Sequence, residues 1–113
     1  MDDLMEKLTA YGGDMDGAMG RFVGDAALYA SCFTVFLADE AFPKLGEALE
    51  TSNYEKAFEY AHTLKGVTGN MGLTPLYEVI CQIVEGLRGK HLDHLQEDYA
   101  EVTRQLSFLK TLA

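Results

Sequence analysis

The stretch that decides the fold is Tyr54-Glu55-Lys56-Ala57-Phe58-Glu59-Tyr60-Ala61-His62-Thr63-Leu64-Lys65-Gly66-Val67-Thr68-Gly69-Asn70-Met71-Gly72. Its core-type residues Ala57, Ala61, Leu64, Thr68 and Met71 step by 4, 3, 4, 3, which is a packing stripe along one side of a helix. Thr51-Ser52-Asn53 is a cap-rich stop before it, and Gly72 is a natural stop after it. At about 100° per residue, His62 lies roughly 140° from the centre of the stripe. The histidine therefore faces water rather than the core.

Working outward, each flank carries the same periodicity. Thr74-Pro75 reads as N-cap and first helical residue of the next helix, with Leu76, Ile80, Ile83 and Leu87 as its inner face and Gly89 as its end. The last helix has the cleanest pattern, because Leu92, Leu95, Tyr99, Val102, Leu106 and Leu109 step by 3, 4, 3, 4, 3. Upstream, Asp25 is the expected N-cap of a helix through Leu37, with Leu28, Cys32, Phe33 and Phe36 inward. Pro43 predicts a kink or break near Ala41 to Pro43, after which Leu45 and Leu49 resume the spacing. Glycines 12, 13, 17, 20 and 24 divide the N-terminal quarter into short helices. Without a convincing strand, the pattern predicts an all-α protein, an up-down four-helix bundle with short N-terminal helices, as a single domain over residues 1–113.

Composition narrows the function. Nearly half of the 113 residues are apolar, enough for one core, and the formal net charge is −9. That charge repels nucleic acid and anionic membranes, so neither is an expected partner. Met1-Asp2-Asp3 opens acidic with no basic region ahead of an apolar run, so no export signal is expected. The longest uncharged stretch, Ala26 to Ala38, has 13 residues and is too short to span a bilayer. Cys32 and Cys81 lie inside apolar helical patterns without metal-ligand spacing and read as buried free thiols of a reducing cytosol. A cytoplasmic location is therefore expected, and the protein is expected to be a monomer.

The chemistry gathers around His62. Lys65, Gly66 and Gly69 follow at helical offsets and share its face. A glycine inside a helix costs roughly 1 kcal/mol relative to alanine, so this pair needs a reason. Because both point away from the core stripe, access of another protein to the imidazole explains them better than close helix packing. Imidazole is a nucleophile abundant in its neutral form near neutral pH, and a lysine one turn along can meet phosphoryl oxygens. Glu59 lies one turn before His62, and Gln82 and Glu85 fall opposite it when the next helix is folded back about Leu73. Each could orient the ring or simply be solvated. Phe58 and Val67, with the glycines, could form an apolar landing surface, or Phe58 could pack on the neighbouring helix. His91, His94 and Glu97 are spaced for a metal, but no inward-facing Glu-x-x-His set accompanies them, so no metal is expected here. The chain has no Walker loop, kinase motif or magnesium-holding acidic cluster near His62, so any phosphoryl group must come from a partner.

The run Ala61-His62-Thr63-Leu64-Lys65-Gly66, with Gly69-Asn70-Met71-Gly72 after it, resembles the signature of histidine-containing phosphotransfer (HPt) domains. The likeness extends to Arg21-Phe22-Val23-Gly24-Asp25, Leu28-Tyr29 and Phe36 upstream, and to Leu76, Cys81, Glu85 and Arg88-Gly89 downstream. Thr68 and Gly69 depart from the family's usual alanine or serine. The resemblance implies a bundle whose exposed His62 takes a phosphoryl group from a receiver-domain aspartate and passes it on. Lys65 would neutralise phosphate and Gly66 would give clearance. The expected partners are response-regulator receiver domains and a hybrid histidine kinase. No cofactor is expected on this chain, because Mg2+ would sit on the receiver. Two other readings stand beside this one: the phosphorylatable domain of a chemotaxis-type kinase, and an adaptor bundle whose histidine is never phosphorylated.

Overall fold

The computed structural model describes residues 3–113, and these contain seven helices and no strand. They are α1 (Asp3–Tyr11), α2 (Met15–Arg21), α3 (Ala26–Leu37), α4 (Ala41–Glu50), α5 (Tyr54–Asn70), α6 (Thr74–Arg88) and α7 (Leu95–Lys110). The protein is all-α, as the spacing predicts. Short turns fold α4, α5, α6 and α7 back on one another as successive neighbours, and α7 reaches α3 and α4 to close the bundle.

Local chemistry sets most of the boundaries. The Asp25 carboxylate accepts from Leu28 N at 2.9 Å and opens α3. The Asn53 side chain accepts from Lys56 N at 3.3 Å and opens α5. Gly72, at φ +69°, reverses the chain after α5, and a Cβ there would collide with the Asp14 carbonyl. The core is continuous through the bundle. Tyr29, Phe33 and Phe42 meet Leu64 from α5, Ile80 and Ile83 from α6, and Val102 and Leu109 from α7. Burying each such side chain contributes about 1.5–3 kcal/mol. Ala57 and Ala61 give α5 a slim inner face, which lets both neighbouring helices approach closely.

Four sequence expectations are corrected. Leu28 is 45% exposed, and Cys32, like Cys81 on α6, is half-buried rather than buried, while Tyr29 and Leu37 join Phe33 and Phe36 inside. The chain breaks at residues 38–40, ahead of Pro43, which sits in the first turn of α4 where a missing donor costs no helical bond. Leu73 rather than Thr74 is the N-cap of α6, which places Pro75 second in the helix. Leu92 belongs to the connection before α7, whose N-cap is His94.

The short N-terminal helices close the end of the bundle where α5 turns into α6. Asp14 N donates to Gly72 O at 2.8 Å. The Tyr11 hydroxyl donates to Gln105 Oε1 at 2.6 Å and accepts from Leu76 N at 3.0 Å. The buried Tyr29 hydroxyl donates to Met71 O at 2.6 Å. Asp14 and Tyr29 thus fix the C-terminal end of α5, while Tyr11 ties the start of α6 to α7.

Candidate functional site

α5 presents His62 to solvent because the opposite side of that helix is committed to the core through Ala57, Ala61, Leu64 and Thr68. His62, Lys65, Gly66, Gly69 and Asn70 line an open cleft of about 310 Å³, with Tyr77 of α6 as its far wall. The structure therefore brings together the four residues the sequence places on one face, and adds Tyr77 and Asn70. The Cys81 side chain beside Tyr77 raises that phenol above its ordinary value.

The two glycines do different things. A Cβ on Gly66 would meet nothing within 4 Å, so its bare backbone serves no contact inside the protein. A Cβ on Gly69 would lie 3.2 Å from Tyr77 Cε1. Gly69 thus allows α5 and α6 to approach, which corrects its assignment to access alone.

The charged side chains around the imidazole are mostly engaged with each other. Glu59 pairs with Lys56 at 3.2 Å, and Glu85 pairs with Arg88 at 2.6 Å. Gln82 lines a different cleft, of about 570 Å³, with His91, Asp93, His94 and Asp98. None of Glu59, Gln82 or Glu85 hydrogen-bonds His62 directly, and Glu59 and Glu85 hold cations instead. Lys65 has no ion-pair partner among the described residues, which leaves its ammonium for an incoming anion.

The apolar residues divide as well. Phe58 stacks on the His62 ring, with centroids 5.8 Å apart, and Arg88 Cζ lies 5.7 Å from the Phe58 centroid. Val67 turns to the other side of α5, into a groove of about 450 Å³ with Phe22, Cys32, Val35 and Phe36. Phe58 and Val67 therefore do not form one landing surface. Among the described residues, no group of three or more His, Cys, Asp or Glu is placed to hold a metal ion, and no single helix is long and apolar enough to cross a membrane.

Arg21 is the residue whose place at this site the spacing did not reveal. Its Nε donates to Asn70 O at 2.7 Å and its Nη2 to Gly69 O at 3.0 Å. It thereby caps the helix that carries His62. The family likeness included Arg21, but a contact across 49 positions leaves no trace in local periodicity.

Residues 36–111 match the family model described as Hpt domain, about two thirds of the chain, and the match includes α4 through α7 and the whole His62 face. Comparison with curated proteins and with solved structures gives no match.

Proposed function

Since the chain belongs to the Hpt domain family, whose members are phosphocarriers of two-component phosphorelays, we propose that His62 is its phosphoacceptor and that a response-regulator receiver domain is its partner. The observation that carries this reading is an exposed imidazole sharing a cleft with Lys65 and the open backbone of Gly66.

A neutral ring nitrogen of His62 attacks the phosphorus of the receiver's aspartyl phosphate. The nitrogen–phosphorus bond forms as the phosphorus–oxygen bond breaks, and the aspartate leaves as a carboxylate. The proton on the second ring nitrogen stays with the ring or passes to water. Lys65 meets the non-bridging oxygens, where charge is concentrated during transfer. Gly66 lets the receiver bring its acidic pocket, with the magnesium held there, close to the α5 backbone. Reversing the same steps delivers the group to a second receiver. This chain supplies a nucleophile, a cation and clearance, and the receiver supplies the metal.

The test is intact-mass spectrometry after mixing the protein with a magnesium-loaded receiver charged by a small phosphodonor. One acid-labile phosphoryl adduct that is absent from His62→Gln supports the proposal. An adduct that persists in His62→Gln, or no adduct with any receiver, overturns it. Transfer only from an ATP-bound kinase domain would instead identify the chemotaxis-type carrier.

A further inference from the structure

The imidazole of His62 receives no hydrogen bond from any described residue, yet its plane is defined. Phe58, one turn earlier on α5, lies parallel to it, with 7° between the rings and 5.8 Å between centroids. Phe58 is half-buried and packed against the edge of the core, so it is the fixed member of the pair. A second helix braces it. Arg88 of α6 places Cζ 5.7 Å from the Phe58 centroid, and Arg88 Nη1 donates to Glu85 Oε1 at 2.6 Å. The chain Glu85–Arg88–Phe58–His62 thus runs from α6 across to the imidazole on α5.

The plane matters because the nucleophilic lone pair of an imidazole nitrogen lies in the ring. Phosphorus must approach within that plane. The second torsion of histidine is broad, so an unrestrained exposed ring spreads over many planes. Stacking narrows that spread, and it occupies one ring face while leaving both nitrogen-bearing edges open.

We propose that Phe58, braced by Arg88, is a positioning residue for phosphoryl transfer: it sets the plane of the His62 imidazole in place of a hydrogen-bonding carboxylate. The proposal rests on His62 being the phosphoacceptor. It differs from a docking role for Phe58, in which the ring would be a contact for the receiver.

The two roles separate in Phe58→Leu, which keeps apolar bulk and loses the aromatic face, with Phe58→Tyr as the conservative rescue. Two readouts are taken on the full chain. The first is the proton chemical shifts of the His62 ring by NMR, which need no partner and no phosphate. The second is the rate of transfer from a charged receiver as receiver concentration is raised. Positioning predicts that the ring protons lose their upfield shift in Phe58→Leu. The saturating rate falls about tenfold while the half-saturating concentration stays put. Phe58→Tyr restores both. Arg88→Gln, at an exposed position, moves the shift and the rate part of the way.

A higher half-saturating concentration at an unchanged saturating rate in Phe58→Leu would overturn positioning and make Phe58 a docking contact. Ring-proton shifts identical in wild type and Phe58→Leu would overturn it too. Loss of helical circular dichroism in Phe58→Leu passes the decision to Arg88→Gln, where an unchanged ring shift again overturns it. Failure of the underlying reading looks different: wild type shows the shifted ring protons but accepts no phosphoryl group from any receiver, and the positioning role falls with it.

Discussion

Arg21 on α2 holds the last carbonyl of α5, donating from Nε to Asn70 O at 2.7 Å while Nη2 reaches Gly69 O at 3.0 Å. The C-terminal end of a helix carries partial negative charge and carbonyls without intrahelical partners, and a guanidinium answers both. The helix that carries His62 is therefore capped from outside the matched region, because Arg21 precedes residue 36.

Arg21→Gln is expected to lower stability by about 1 kcal/mol, read as a lower urea midpoint at unchanged slope. Arg21→Lys recovers only part of this, because one ammonium lacks the planar fork that reaches both carbonyls. Equal stability of wild type and Arg21→Gln would remove the cap from the account.

Gly66 and Gly69 should respond in opposite ways to alanine. Gly66→Ala meets open space, so it should stabilise the protein by about 0.5–1 kcal/mol through helix propensity alone. The same methyl stands beside His62 in the cleft and should slow transfer from a charged receiver. Gly69→Ala sets a methyl 3.2 Å from Tyr77 Cε1, which offsets the propensity gain and leaves stability equal or lower. Urea denaturation of the two variants, with transfer kinetics on Gly66→Ala, checks both.

Lys65→Met should leave the unfolding curve nearly unchanged, since Lys65 has no ion-pair partner among the described residues. Its effect should appear in transfer, where loss of a cation facing the phosphoryl oxygens costs about tenfold or more in rate. An unchanged rate would leave Lys65 without a role.

Alkaline pH should unfold the protein through its buried phenols. Burial is the largest cause that pushes the Tyr11 hydroxyl from 10.0 up to about 12, against the lowering effect of its Leu76 hydrogen bond, and burial raises Tyr29 as well. A phenol that binds its proton more tightly when folded contributes stability fully present below the unfolded value of 10.0 and lost as pH climbs towards about 12. Phenolate absorbance and helical circular dichroism should therefore change together in that window. Tyr11→Phe should weaken the loss of stability across that window by removing one of the two phenols that drive it, leaving Tyr29.

The solvent-facing direction of His62 was legible because α5 keeps polar and apolar residues on different sides, so a rotation angle could be assigned. The inner face of α3 was not legible for the opposite reason. Ala26–Leu37 contains no charged residue, so periodicity could not choose between Leu28 and Tyr29. Leu92 fitted a spacing it does not share, because a loop residue three positions before Leu95 mimics a helical step. Gly69 and Phe58 needed the crossing of α5 with α6, which brings Tyr77 and Arg88 over α5. That crossing depends on packing across the whole core rather than on any local pattern.

The pairing of Glu59 with Lys56 and of Glu85 with Arg88 bears on time as well as on geometry. Each carboxylate that could have reached the imidazole holds a cation instead. A phosphoryl group carried on His62 would then have neither of them beside it to draw a proton from water and direct hydrolysis. On the proposed reading, a phosphoryl group on His62 would persist until the next receiver arrives, and its lifetime would belong to that encounter rather than to hydrolysis.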